Sequence, residues 1–337
     1  MLDFPVLNEQ RDREAEEKAL QERTTEIIKP LIPPDAEERV KRAFRQWNQM
    51  IRELIRNETG LKLSDGDGKY SIPVRIVDGF PNKLATLIDG YNDRMLWLLI
   101  LGQPKLGGVV EGLKFLLDHW KQLEQWPKLP SLAKDGKVNL ETTQQIVNAL
   151  QNAALAETVR DQIMKIDEDI LGAYFYPADK SYWIELYWIP IAMIAAMLDI
   201  RIEDLTLVVL AHELAHGYTH LGRDIEGGFW RDSAFQKADR NIKEGLAQFY
   251  AQVVTTKIAE RIPGPKLAYE RLLTLQGGAY VVHQKWLEGS SRRIGEAVRF
   301  ALIATRNREV MNYDLWLKML DDADVNLRSN KWDEDEY

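Results

Sequence analysis

The chain contains no cysteine in its 337 residues. That absence excludes a disulfide framework and a thiolate metal site, so a transition metal would have to be held by histidine and carboxylate side chains. Basic charge is also short: 44 Lys and Arg against 52 Asp and Glu give a net charge of −8. The basic clusters, Arg39 to Arg45 and Arg292-Arg293, are diluted by acids, so a nucleic-acid partner is not expected. Long apolar runs are missing too. The longest, Leu186 to Leu198, spans 13 residues, includes Pro190 and is flanked by Glu185 and Asp199; a membrane helix needs about 20. The first residues lack the basic start and apolar core of a signal peptide. The expectation is a cytoplasmic protein with no membrane partner.

Against these absences stands one concentrated motif, His212-Glu213-Leu214-Ala215-His216. Residues four apart lie one above the other on a helix, so His212 and His216 can direct imidazole nitrogens at one ion. Glu213 lies about 100° round the helix from His212, beside the position where a water polarised by that ion would need a proton acceptor. A chance match need not be helical, but the stretch from Glu203 to Gly217 reads strongly as helix. It has acids in its first turn, no interior Gly or Pro, and a stripe of Leu205, Val209, His212 and His216. Its apolar residues wrap nearly all round, as in a helix buried inside a domain.

A catalytic zinc site of this type uses three protein ligands. His220 lies eight residues beyond His212, about 12 Å of helix rise, too far to share an ion unless the helix breaks at Gly217. It reads instead as an outer partner or a surface histidine. The three-histidine pattern HExxHxxGxxH fails as well, because Thr219 and Gly222 stand where Gly and His are required. Glu244, 28 residues after His216, is the better donor. It sits in a second helical pattern, roughly 234–261, which can pack antiparallel on the first. Gly245 and Ala247 would allow close approach there, and Gln248 could fix a histidine tautomer. Asp224, Glu226 and Asp239 are rival ligands, and a solvated surface role for Glu244 is the plain alternative.

The pairing of His212-Glu-Leu-Ala-His216 with the later Glu244-Gly-Leu-Ala-Gln-Phe-Tyr-Ala251 resembles the gluzincin group of zinc metallopeptidases. The resemblance covers roughly residues 170–260. A weaker similarity extends to intracellular metallopeptidases that cleave phage-type repressors. The resemblance implies Zn2+ held by His212, His216 and Glu244, Glu213 as general base, and a protein or peptide substrate. It also implies a downstream donor to the tetrahedral oxyanion, for which His283 and Tyr280 are the candidates; either can equally be an ordinary helix residue.

Length and a 45% hydrophobic content allow one large or two moderate cores. Charged residues dominate Asn8 to Ile28 before Pro30, Pro33 and Pro34; Asp35 then caps an amphipathic helix with Val40, Phe44, Trp47, Ile51 and Ile55 on one face. Asp65-Gly-Asp-Gly-Lys69 reads as a turn rather than a calcium loop, and Tyr70 to Val77 as a short strand with Pro73 pointing to an edge. Helices are expected at about 92–101 and 106–125, a linker at Pro127 to Lys137, and a long helix from Leu140 to Ile170. Strand-like runs at Ala173–Tyr176 and Tyr182–Pro190 follow, the second being either a peptide-binding edge or a core strand. Three or four helices fill 264 to about 321. The fold class is α+β, mostly helical. A helical N-terminal region, 1–135, precedes a zincin-like domain, 136–337, with a small sheet, an active-site helix and a Glu-bearing helix. Two other functional classes stay open: a non-catalytic metal-bearing scaffold whose N-terminal helices contact a regulatory partner, and a zinc amidohydrolase acting on a small amide.

Overall fold

The computed structural model describes residues 4–63, 72–102, 152, 154–166, 169–177, 181–288, 293–309 and 311–329. The expected turn at 65–69, the helix at 106–125, the linker at 127–137 and the boundary at 135 lie outside them. The chain is mostly helical with one small mixed sheet. It divides into two compact units, one of Met1–Pro34, Gly79–Glu168 and Ala192–Asp199, the other of Asp35–Asp78, Asp169–Ile191 and Ile200–Tyr337. No helix among the described residues is long and apolar enough to cross a membrane.

The first unit contains α1 (Phe4–Ile28), ended by a 3-10 turn at Lys29–Leu31 that includes Pro30, and α3 (Asn82–Gly90). The Gln21 amide brackets the Phe80 backbone, donating to its carbonyl at 2.7 Å and accepting from its N–H at 2.8 Å. Arg23 forms a forked pair with Asp89. Ile28, Leu84, Ala85, Ile88 and Trp97 form the buried side. Residues 94–102 and 154–164 are also helical.

The second unit holds the motif helix. Its α2 (Ala36–Thr59) buries Val40, Ala43, Ile51 and Ile55; Phe44 and Trp47 are half-buried. Asp35 stands at the N-cap, but its side chain accepts no capping bond. In the sheet, β3 (Trp183–Tyr187) is central, parallel to β1 (Val74–Val77) and antiparallel to β2 (Gly172–Phe175). β3 therefore has both sides paired and offers no edge to a peptide; the free edges belong to β1 and β2. The strand also stops earlier than its aromatic run suggests, because α4 (Trp188–Met197) begins there, with Pro190 tolerated in its first turn.

Helix α5 (Ile202–Leu221) carries the motif and is buried almost throughout, as its all-round apolar sequence requires. Glu203 in its first turn receives both nitrogens of the Arg39 fork, at 2.8 and 2.7 Å. The helix runs unbroken through Gly217, where a Cβ would lie 2.2 Å from Ile72 Cδ1. The glycine costs about 1 kcal/mol of helix propensity and gives room for that neighbour. The second helical pattern is two helices, α6 (Asp232–Lys237) and α7 (Arg240–Ile258), because Asp239 starts the second by accepting from Asn241 N–H at 2.8 Å. Then come α8 (Gly264–Leu273), a 3-10 turn at Gly278–Val281, α9 (Val282–Leu287), α10 (Ile294–Arg308) and α11 (Tyr313–Ser329). α2 and α7 both pack on α5.

Candidate metal centre

The packing of α7 on α5 brings Glu244, near the start of α7, to the histidine face of α5. His212 Nε2 and His216 Nε2 lie 3.1 Å apart, and each is 3.3 Å from Glu244 Oε2. Donors about 2.1 Å from one tetrahedral ion sit roughly 3.4 Å from each other, so the spacing is that of a ligand set. All three residues are buried, and they form a group able to hold a metal ion. Two imidazole nitrogens and a carboxylate oxygen this close together need a proton or a cation among them. Two imidazoles with one carboxylate suit zinc and also ferrous iron.

The electrostatics follow from burial and proximity. Burial pushes the Glu244 carboxyl up, but the imidazoles outweigh it and hold the group well below the ordinary carboxylate range. Burial opposes protonation of His216, yet Glu244 raises it above the free imidazole. Glu213 is raised well above the usual range, first by burial and then by the charges of Asp169 and Glu244. Its Oε2 is buried with no hydrogen-bond partner. A carboxylate in that condition takes up a proton readily.

The other sequence candidates fall elsewhere. Asp224 is tied up in its own loop, accepting from the N–H groups of Glu226 and Gly228; Glu226 is exposed there, and Asp239 caps α7. His220 is fully buried rather than at the surface, outside the donor group. Its Nδ1 pairs with the Tyr174 hydroxyl at 2.9 Å and its Nε2 lies 3.2 Å from Asp232 Oδ1. The Tyr182 hydroxyl donates to the same carboxylate, and the Phe235 ring stacks on His220 at 4.1 Å. Burial lowers His220 to about 4 in spite of Asp232. His283 Nε2 pairs with the Tyr269 hydroxyl at 2.8 Å, and burial lowers this imidazole too to about 4. The Tyr280 hydroxyl donates to Asp169 and accepts from Arg240 Nη2 at 3.1 Å; its ring is 6.1 Å from that of His212. Gln248 does not serve a histidine: its amide donates to Gln276 Oε1 at 3.2 Å. Gly245 does not face α5 either, since a Cβ there would meet Trp286 and Val282 of α9.

Sequence reasoning missed Asp169, Gly172, Tyr174 and Tyr176. Asp169 is pushed up by burial and by Glu244, and feels both histidines. A Cβ on Gly172 would come 2.9 Å from Glu213 Cγ, so only a glycine lets β2 lie this close to the motif helix. The Tyr174 ring lies parallel to that of His216, 6.5 Å away. None of the four belongs to a recognisable spacing; Tyr174 and Tyr176 lay in a strand-like run, whereas Asp169 fell in the stretch expected to be helical up to Ile170. No protein-family model matches the chain, and no curated protein or solved structure matches it.

Proposed function

We propose that the protein is a zinc-dependent peptidase of gluzincin type, with a zincin-like arrangement of motif helix, Glu-bearing helix and flanking strand. The observation that carries this reading is the buried, unpartnered Glu213 carboxylate next in sequence to a three-donor group with ligand spacing. His212, His216 and Glu244 would hold the ion, which supplies a Lewis acid able to make water nucleophilic near neutral pH. Glu213 accepts the proton of the attacking water and returns it to the amide nitrogen as the peptide bond breaks. Burial and neighbouring negative charge give Glu213 the proton affinity this needs, and Gly172 leaves its stem undisturbed. An inert metal-bearing scaffold would have no use for such a carboxylate, which costs stability to keep buried and unpaired.

The test is cleavage of a denatured protein mixture by zinc-loaded protein, with and without chelator. Wild type should cleave and lose activity on chelation. Glu213→Gln should keep about one zinc per chain and lose at least about a hundredfold in turnover. Equal cleavage by wild type and Glu213→Gln would overturn the reading.

A further inference from the structure

Glu244 divides its two carboxylate oxygens between different neighbours. Oε2 lies 3.3 Å from both histidines, while Oε1 lies 3.9 Å from Nε of Arg240, one turn earlier on α7. The Arg240 guanidinium is in turn held from outside its own helix. Its Nη2 donates to the Tyr280 hydroxyl at 3.1 Å, and its Cζ lies 5.3 Å from the centre of the Tyr280 ring. Tyr280 gives its own proton to Asp169. Asp169, Tyr280 and Arg240 thus form a chain that ends on Glu244 Oε1.

Helix preference does not explain Arg240. It is the first residue of α7, where the positive end of the helix dipole disfavours a cation, and no acid stands in that turn. A cation four residues before a Glu is also the weaker orientation of such a pair. The placement costs the helix stability, so its reason lies in what the guanidinium touches.

What it touches has a chemical consequence. A carboxylate can bind an ion through one oxygen or through both. Bound through both, it would fill the position that a catalytic zinc site keeps open beside its three protein ligands. Bound through one, it leaves an oxygen for an outer partner, and such partners orient the ligand. We propose that Arg240 is a positioning residue that holds Oε1 of Glu244, so that the carboxylate meets the metal ion through Oε2 alone. Tyr280 and Asp169 keep the guanidinium in place for it. The proposal rests on the metal site of the peptidase reading above.

The experiment loads wild type, Arg240→Gln and Tyr280→Phe with zinc or with cobalt(II). The visible absorption of cobalt(II) is strong in four-coordinate sites and weaker at higher coordination number. Arg240→Gln should bind zinc about 10–100-fold more weakly in chelator competition, the loss expected of an outer partner. Its metal-free thermal midpoint should be that of wild type, and its cobalt absorption should weaken as the second oxygen joins the ion. Tyr280→Phe, which loses only the hydroxyl that anchors Arg240, should move both readouts the same way by a smaller factor. If Arg240→Gln lowers the metal-free midpoint, Tyr280→Phe decides alone.

Wild-type zinc affinity in Arg240→Gln would overturn the proposal and leave the peptidase reading intact. So would weakened affinity with an unchanged cobalt spectrum, since Arg240 would then act only as a nearby charge. Wild-type affinity and spectrum in Tyr280→Phe, with lowered turnover, would give Tyr280 a part in the reaction and overturn the chain. The expected metal responses in a protein that cleaves nothing would support the proposal and overturn the peptidase reading. A wild type that takes up neither metal would overturn both.

Discussion

One helix carries two buried histidine settings a single turn apart, and they are built on opposite plans. At His216, nitrogens and a carboxylate oxygen converge, and among the described residues no hydrogen-bond donor from another element separates them. At His220, Nδ1 is hydrogen-bonded to the Tyr174 hydroxyl, Nε2 has the Asp232 carboxylate 3.2 Å away, and the ring is held flat against Phe235. The residue type and the helix are the same. What differs is what the neighbouring elements turn towards the ring: a hydroxyl and a stacked aromatic at His220, a carboxylate beside a second imidazole at His216. The first arrangement could hold a metal ion; the second lies outside that donor group and has one nitrogen engaged by a neighbouring hydroxyl.

The largest test of this contrast is metal affinity. Glu244→Ala and His216→Ala should each weaken zinc binding by more than about a hundredfold, whereas His220→Ala should stay within roughly tenfold, the low end of what losing an outer partner costs. Competition with a chromophoric chelator measures both. Loss of zinc on replacing His220, with Glu244→Ala harmless, would break the comparison.

Stability should sort the two histidines in reverse. In metal-free protein His220→Ala strands the Tyr174 hydroxyl and opens a cavity, for a cost of about 3 kcal/mol in denaturant titration, while Asp232 keeps its bond from Tyr182. His216→Ala should cost clearly less, because it also relieves the crowded acceptors. A larger loss for His216 would mean that the donor group is held together by protein contacts rather than waiting for an ion.

A third buried histidine sharpens the point through pH. Burial holds His283 at about 4, below the 6.5 of a free imidazole. Between those values the unfolded chain binds the proton more readily than the folded one. Its contribution to stability is therefore full above about 6.5 and declines as pH falls towards 4. Removing the imidazole with His283→Gln should flatten that slope in chelated protein, read as the denaturation midpoint against pH. An unchanged slope would assign the acid sensitivity to other groups.

The smallest effect belongs to the N-terminal end of the same helix. Arg39 holds the Glu203 carboxyl at about 2, so that pair contributes above the ordinary carboxylate value and is lost as pH falls through about 2. Arg39→Gln should cost at most about 1 kcal/mol near neutrality, given partial exposure of the pair, and should leave zinc affinity alone.

The sequence by itself determined what depends on neighbours within two helical turns. The four-residue spacing of His212 and His216, the place of Glu213 beside them, and the exclusion of His220 by helix rise all follow from α-helical geometry. The mostly helical class with a small sheet was legible for the same reason, since apolar periodicity is local. Glu244 was suggested by the order of two helical patterns, but its approach to 3.3 Å of both histidines is a matter of how α7 packs on α5. The tertiary structure alone decided that β3 is central, that Gln248 and Gly245 face away from the histidines, and that His220 is locked by a tyrosine 46 residues earlier in the chain. It alone set Asp169, Gly172 and Tyr174 beside the motif. Contacts between residues far apart in sequence carry no periodic signature, because they arise from which faces of separate elements bury each other.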